Sequence, residues 1–212
     1  MAKERTNQNP VVAIPLPRRE KLTVTVKGDT PYVGTNYSED VRKEVAEKQS
    51  GKSKLKARAP RDIKAEIKGR RTIRNGIDCI PAGAFRAAMV DTAKDDTLTA
   101  INGEMVKRSI IVQGDLGDFI SIKNGTEENF EPSVFESVVK LPSGLPHIAY
   151  RPMYENWTAD VTIIYIADKF AREDILNLLA RAGITTGVGD SRKIGGGRYR
   201  LVERQSVKVE EI

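Results

Sequence analysis

Apolar and polar residues alternate in two segments of this chain, and such alternation is the pattern of a half-buried β-strand. The two segments are residues 22–26, LTVTV, and residues 159–166, ADVTIIYI. Shorter segments with strand character lie at residues 77–80, 109–112, 119–122, 134–141, 198–202 and 207–209. The pattern therefore predicts a protein with many short strands distributed along the chain.

Two further segments have apolar residues at helical spacing. In the first, Pro81 suits the first turn of a helix that carries Phe85, Ala88 and Met89 and ends near Lys94. The second helix follows the strand at 159–166, and its apolar face consists of Ala171, Ile175, Leu178, Leu179 and Ala182. We therefore expect two helices of similar length, each with one apolar face that packs on the sheet.

Capping signals and shorter segments complete the secondary-structure prediction. Asp168 is the predicted N-cap of the second helix, and Gly183 is its predicted end. Ser38 is predicted to begin a shorter helix that runs to about residue 48. Residues 63–67, IKAEI, fit a strand or a short helix, and periodicity does not decide between them.

The order of these elements predicts the fold class. Residues 159–202 contain a strand, a helix, a glycine-rich segment and a strand, which is half of a ferredoxin-like βαββαβ unit. The strand at 22–26, the helix at 81–94 and the strand at 109–113 supply the other half. We therefore predict an α+β fold with a ferredoxin-like core, similar to an RNA-recognition motif.

The length of 212 residues fits one domain. Residues 1–20 contain three prolines and are predicted to form an extended N-terminal arm that docks on a neighbouring subunit or remains a free tail. Residues 21–212 are predicted to be a single α/β domain, with a basic insertion at about residues 28–76.

The glycine segment, which we define as residues 183–200, carries the strongest functional signal. Its six glycines are Gly183, Gly187, Gly189, Gly195, Gly196 and Gly197, and its basic residues are Arg192, Lys193, Arg198 and Arg200. Glycine lets a backbone approach a ligand closely, and exposed amides beside cationic side chains suit a phosphate chain. We therefore predict that this segment binds a nucleic-acid backbone. The residues predicted to line the phosphates are Gly187, Gly189, Arg192, Lys193, Gly195, Gly196, Gly197 and Arg198.

Charge is concentrated in a second region. The formal net charge is +6, and residues 52–74 contain ten basic and two acidic residues. Concentrated positive charge favours a polyanionic partner, although a solvated basic loop has the same composition. The predicted second contact consists of Lys52, Lys54, Lys56, Arg58, Arg70, Arg71 and Arg74.

Several classes of protein are not expected from the sequence. Cys79, in the apolar run IDCIP, is predicted to be a small core residue. It is the single cysteine and His147 is the single histidine, so a disulfide framework and a zinc finger are excluded. The carboxylates lack the spacing of a metal or acid–base site, so we expect no cofactor, no metal and no enzyme. The sequence has no stretch of 18 apolar residues, so no membrane span is predicted. It also has no evident secretory signal, so a cytoplasmic location is expected.

Three segments together resemble the RAMP superfamily, the CRISPR RNA-binding proteins with folds like the RNA-recognition motif. Residues 22–34, LTVTVKGDTPYVG, resemble the opening strand and turn of the family, and residues 80–90, IPAGAFRAAMV, are similar to its first-helix start. Residues 187–199, GVGDSRKIGGGRY, resemble its glycine-rich loop. In the second segment Arg86 stands where the family usually has lysine, and Ala82, Gly83 and Ala84 replace its small hydroxyl residues.

The resemblance implies a backbone-type protein that assembles in multiple copies, as a filament along single-stranded nucleic acid, RNA more than DNA. It includes Arg86 among the RNA contacts, and it is compatible with a reduced relative carried by a phage or mobile element. Some relatives cleave RNA with a loop aspartate or a histidine, for which Asp29 and His147 are the positions to test.

The functional prediction is a non-catalytic single-stranded nucleic-acid-binding protein that forms a homo-oligomer or is a subunit of a ribonucleoprotein assembly. Two alternatives remain open from the sequence. One is a phage or mobile-element structural or interaction protein, including a single-stranded DNA coat protein. The other is a RAMP-type endoribonuclease.

Overall fold

The computed structural model describes residues 16–34, 36, 43, 46–47, 49–50, 62–95, 101–124, 127, 130–140, 144–202 and 208–212. The strands are β1 (Arg19–Gly28), β2 (Tyr32–Val33), β3 (Ile73–Arg74), β4 (Ile77–Pro81), β5 (Ile110–Gln113), β6 (Phe119–Ser121), β7 (Ser133–Lys140), β8 (Pro146–Tyr154), β9 (Thr158–Ile166), β10 (Tyr199–Leu201) and β11 (Lys208–Glu211). The helices are α1 (Ile63–Arg70), α2 (Ala82–Asp95), α3 (Gly103–Ser109) and α4 (Arg172–Thr185), and Ser191–Ile194 forms a 3₁₀-helix. The fold is α+β with antiparallel sheets, as the sequence predicts.

The central sheet has the strand order β10-β1-β9-β5, and β11 also pairs with β1. All of these pairings are antiparallel. Helix α2 lies between β1 and β5 in the chain, and helix α4 lies between β9 and β10. Phe85 of α2 and Ile175 of α4 belong to the same buried cluster as Leu22 and Val24 of β1, so both helices bury their apolar faces against one face of this sheet.

Two smaller sheets flank the central one. One has the order β2-β8-β7 and contains the long β7–β8 hairpin, and the other has the order β3-β4-β6. Cys79 of β4 is 2% exposed, so its prediction as a core residue is confirmed. Burial raises the pKa of its thiol to about 11, so the group remains protonated. No helix in the described ranges is long and apolar enough to cross a membrane.

Two predicted helix boundaries are wrong. Helix α4 continues through Gly183 to Thr185. A side chain at Gly183 would overlap the backbone carbonyl of Tyr199 on the neighbouring strand. The glycine is therefore required by close packing of α4 on β10, and it does not end the helix. The N-cap is Ala171, whose amide bonds the Asp174 carboxylate at 3.1 Å, whereas Asp168 accepts from the backbone amide of Arg18 at 3.0 Å.

The other segments agree with the sequence or are resolved by the structure. Residues 63–67 are helical, as part of α1, because Asp62 caps it by accepting from the amide of Ala65 at 3.1 Å. The predicted strands at 109–112 and 119–122 exist, but they belong to different sheets. The predicted strand at 134–141 is β7. The helix start at Ser38 and residues 1–15 of the arm lie outside the described residues.

Candidate nucleic-acid interface

The glycine segment packs against the turn between β1 and β2. The amide of Gly197 donates to the carbonyl of Pro31 at 2.8 Å, and the amide of Asp190 donates to the carbonyl of Val33 at 3.1 Å. In the opposite direction, the amide of Asp29 donates to the carbonyl of Arg198 at 2.8 Å. The fold therefore brings together the first and third segments that carry the family resemblance, although more than 150 residues separate them in the chain.

Four of these glycines adopt left-handed backbone conformations. The φ angles are +71° at Gly187, +91° at Gly189, +86° at Gly195 and +69° at Gly197. Residues with a Cβ rarely adopt such angles, so glycine is required here by the path of the chain. Gly196 has an ordinary φ, but a side chain there would overlap the hydroxyl of Ser191.

The expectation that the glycine amides are exposed to a phosphate chain is wrong at four positions. The amide of Gly187 donates to Ala182, that of Gly195 to Arg192 and that of Gly196 to Ser191, at 2.8–3.1 Å, and Gly197 donates to Pro31. A buried amide without an acceptor costs free energy, so the compact segment satisfies its amides internally. The glycines therefore shape the segment, and its basic side chains are left to meet a ligand.

A cleft of about 640 Å³ lies beside the glycine segment. It brings together four predicted site residues: Gly189, Arg192, Lys193 and Arg198. Three further lining residues have no sequence signal that points to this site: Lys94 near the end of α2, and Thr185 and Thr186 at the end of α4. Helical spacing places Lys94 on α2, but only the packing of α2 beside α4 brings it to the glycine segment. We call this site the glycine-segment cleft.

The two carboxylates that line the glycine-segment cleft have cationic partners. Asp91 is 3.0 Å from the ammonium group of Lys94, and Asp190 is 2.7 Å from the guanidinium of Arg151. The side chains of Arg192 and Lys193 are exposed. Because the carboxylates are already paired, these two cations are not neutralised by them, and the cleft remains electropositive.

Arg198 adds a cation at the base of the cleft. Its Nη1 atom is buried and has no hydrogen-bond partner within the described part of the chain. A buried charged donor without a partner is costly, so the guanidinium gains an acceptor if its side chain turns towards an anion in the cleft. Its backbone is fixed, because its amide donates to the hydroxyl of Thr30 at 2.8 Å.

Arg71 has a structural role, in contrast to its predicted contact with nucleic acid. Its guanidinium bonds both carboxylate oxygens of Asp78, at 3.0 and 2.5 Å, and Asp78 is 3% exposed. The hydroxyl of Tyr154 donates to the same carboxylate at 2.7 Å, and burial raises the pKa of this phenol. Because Arg71 also pairs with Glu131 at 3.2 Å, its donors are committed within the protein.

Arg86 also serves the fold. Its guanidinium donates to the carbonyl of Ile110 at 2.9 Å and to that of Lys107, so it satisfies carbonyls at the end of α3. Its contact with RNA at the start of the first helix stays a prediction, but this commitment gives the side chain a structural role. The reason is geometric, since the long side chain extends from α2 to the carbonyl end of the neighbouring helix.

The remaining predicted basic residues are divided. Arg70 pairs with Glu66 on α1 at 3.1 Å, and the guanidinium of Arg74 lies 4.1 Å from the ring centre of Phe119. Neither residue lines the glycine-segment cleft. Lys52, Lys54, Lys56 and Arg58 lie outside the described residues, so their contact with nucleic acid stays a prediction.

The two positions proposed for cleavage chemistry lie on different elements. Asp29 follows β1 and forms an ion pair with Arg200 of β10. His147 lies in β8, where it pairs with Val139 of β7. Among the described residues, no group of three or more histidine, cysteine or acidic side chains has a geometry that could hold a metal ion.

The open face of the central sheet has a larger cleft, of about 690 Å³, but none of the predicted site residues line it. Its polar groups bond one another: the hydroxyls of Thr23 and Thr162 are 3.0 Å apart, and Thr25 donates to Asp160 at 2.6 Å. Tyr199 of β10 points away from this face into the core, with its ring 5.4 Å from that of Phe85. The glycine-segment cleft is therefore the better candidate, because it presents the exposed side chains of Arg192 and Lys193.

Comparison with protein-family models finds no matching family, and comparison with curated proteins finds no matching protein. The fold is similar to that of a chain in the cryo-EM structure of the type III-B Cmr-beta complex bound to cognate target RNA. The TM-score is 0.53 at 9% identity, over 91% of this chain and 61% of that one. This chain thus spans about three fifths of that neighbour's length.

A second solved structure, Cmr6 from Pyrococcus furiosus, matches with a TM-score of 0.45 at 11% identity, over 87% of this chain and 98% of that one. At such identities the first likeness concerns the fold alone. It supports a RAMP-like fold. The resemblance of the three sequence segments implies the same fold. A likeness of fold at this identity does not establish membership of the family.

Proposed function

We propose that this protein binds single-stranded nucleic acid, RNA in preference, by holding backbone phosphates in the glycine-segment cleft. The observation that carries the proposal is the buried, unpartnered Nη1 of Arg198 beside the exposed side chains of Arg192 and Lys193. Three cations that line one cleft suit the repeated charges of a phosphate chain better than they suit a single small anion.

The fold supports the same proposal. The central strand order β10-β1-β9-β5, with one helix between β1 and β5 and another between β9 and β10, agrees with a ferredoxin-like βαββαβ unit of the RNA-recognition-motif type. The structural neighbour with a TM-score of 0.53 belongs to a complex bound to target RNA. Both observations favour RNA as the polymer and a ribonucleoprotein assembly as the setting.

We further propose that the protein acts without catalysis and assembles in multiple copies. The ion pair between Asp29 and Arg200 supports a structural role for that aspartate. The residues before β1 are the proposed link between copies: Leu16 is 87% exposed, so an apolar side chain is available there.

Fluorescence anisotropy with single-stranded RNA, single-stranded DNA and duplex DNA of matched length, at several salt concentrations, tests the proposal. Each neutralised phosphate contributes about −0.7 to the log–log salt slope for a single strand. The double variant Arg192→Ala/Lys193→Ala is expected to weaken single-strand binding and to make the slope shallower by roughly 1.4.

The double variant Lys107→Ala/Arg108→Ala is a matched control. It removes the same charge from an exposed pair of neighbouring basic residues on α3, outside the cleft. We expect it to keep most of the affinity. Equal losses in both double variants would mean that net charge alone drives binding. Absence of binding at low salt, by protein first stripped of nucleic acid, would overturn the proposal.

A further inference from the structure

Three threonine hydroxyls meet at the wall of the glycine-segment cleft. Thr92 of α2 is 4% exposed, and its Oγ1 lies 3.0 Å from that of Thr185 and 2.9 Å from that of Thr186. Thr185 and Thr186 line the cleft together with Arg192 and Lys193. The cleft therefore has a hydroxyl cluster beside its cations.

The number of protons in the cluster fixes the direction of each hydrogen bond. The hydroxyl of Thr185 donates its proton to the backbone carbonyl of Arg181 at 2.9 Å. Thr185 can then only accept from Thr92, which uses the proton of Thr92. The hydroxyl of Thr186 is closer to that of Thr92, at 2.9 Å, than to that of Thr185, at 3.5 Å, so its proton goes to Thr92. Each hydroxyl has one proton, so all three protons are used within the protein.

As a result, Thr186 presents only lone pairs to the cleft. A phosphate oxygen is an acceptor and finds no donor there, so phosphates are directed to the neighbouring cations. The group that complements Thr186 is a donor that lies close to a phosphate along the strand. The ribose 2′-hydroxyl fits this description, because C2′ is bonded to C3′, and the oxygen on C3′ is esterified to phosphate.

We infer that Thr186 accepts a hydrogen bond from a ribose 2′-hydroxyl and so distinguishes RNA from DNA, with Thr92 and Thr185 as positioning residues that fix its acceptor role. This inference rests on the proposed function, because the cations of the cleft must first hold the strand. The 2′-hydroxyl is the group by which a protein tells the two polymers apart at a given site.

The test compares three oligomers of one length, each with uracil as the base: ribose, 2′-deoxyribose and 2′-O-methyl ribose. The first offers the donor, whereas the other two lack it. Wild-type protein is expected to bind the ribose oligomer roughly threefold to tenfold more tightly than the deoxy oligomer, as one net hydrogen bond implies. The 2′-O-methyl oligomer is expected to bind no better than the deoxy one.

Thr186→Val, which keeps the side-chain shape, is expected to bind the ribose and deoxy oligomers with equal affinity, so that the preference for ribose is lost. Thr186→Ser retains the hydroxyl and should retain the preference for ribose. Equal losses of affinity for the ribose and deoxy oligomers in Thr186→Val would overturn the inference. Wild-type protein alone provides a second check, because equally tight binding of the 2′-O-methyl and ribose oligomers would also overturn it. Tight binding without sugar preference contradicts this inference alone, whereas no single-strand binding contradicts the proposed function and the inference with it.

Discussion

The hydroxyl of Thr30 connects the turn after β1 to the glycine segment through Arg198. It accepts from the amide of Arg198 at 2.8 Å and donates to the carbonyl of Gly195 at 2.9 Å. The backbone of Thr30 contributes as well, since its carbonyl accepts from the indole of Trp157 at 2.9 Å. The position of the Arg198 guanidinium therefore depends on a threonine that lies far away in the sequence.

Thr30→Val is expected to destabilise the protein by about 1–3 kcal/mol, because a part-buried amide and a part-buried carbonyl each lose a partner. Single-strand affinity should fall as well, since the segment that carries Arg192 and Arg198 loses its anchor. Thermal unfolding and anisotropy measure the two effects. Thr23→Val, which removes a hydroxyl pair on the opposite face of the sheet, is the control and should leave affinity unchanged. Unchanged affinity in Thr30→Val would separate the turn from the cleft.

Gly183→Ala is expected to destabilise the protein by about 1–3 kcal/mol, because the new methyl group overlaps the carbonyl of Tyr199 and forces α4 away from β10. The matched control is Gly83→Ala, in α2, where a methyl group meets no atom within 4 Å. Gly83 lies in the first turn of the helix, so the control should change stability by less than about 1 kcal/mol. Chemical denaturation measures both, and similar changes in the two variants would refute the close-packing role.

Arg71→Gln tests the structural role assigned to Arg71. It leaves the buried carboxylate of Asp78 without its cation, and we expect a loss of about 3–5 kcal/mol in the free energy of unfolding. Arg70→Gln removes a neighbouring arginine that forms a half-buried pair with Glu66 one turn earlier on α1, and it should cost about 1 kcal/mol, less than Arg71→Gln. If Arg71→Gln keeps the wild-type free energy of unfolding and instead loses nucleic-acid affinity, the prediction that Arg71 contacts nucleic acid is correct.

Stability should fall in acid because of Glu20. The hydrogen bonds from Arg172 at 2.8 Å and from Tyr165 at 2.6 Å lower the pKa of this carboxyl from its ordinary value of 4.5 to about 2. Between these values the unfolded chain binds a proton that the folded chain does not, so the contribution is present above pH 4.5 and is lost as the pH falls towards 2.

Glu20→Gln removes this titration, so the decline in melting temperature between pH 4.5 and 2 should become shallower than in wild type. Glu173→Gln, on the exposed first turn of α4, is the control and should keep the wild-type profile. Parallel profiles for wild type and Glu20→Gln would show that this carboxylate does not contribute to acid sensitivity.

Sequence reasoning located the elements more accurately than their roles. The alternation in residues 159–166 predicted β9 to within one residue, because each second side chain faces the core and must be apolar. Gly183 was misassigned, since a glycine near a helix end has the same local signal whether it caps the helix or permits close packing. Only the position of β10 distinguishes the two.

The basic residues show the same division. Arg71 and Arg192 look equivalent in the sequence, because each is a cation beside another cation in a polar segment. Folding places the buried carboxylate of Asp78 against Arg71, while Arg192 is left at the open cleft. The glycine segment itself was recognised from its composition, but the sequence could not tell that its amides bond within the protein.

The sequence by itself determined the α+β class, the order of strands and helices around the glycine segment, and the cationic character of that segment. These properties depend on local periodicity, turn chemistry and composition, which neighbouring residues express without reference to the rest of the chain. The tertiary structure alone decided which cations are committed to partners within the protein. It also decided that Thr92, Thr185 and Thr186 meet beside the cations of the cleft. Such pairings depend on distances between elements that are remote in sequence, and only packing of the core sets those distances.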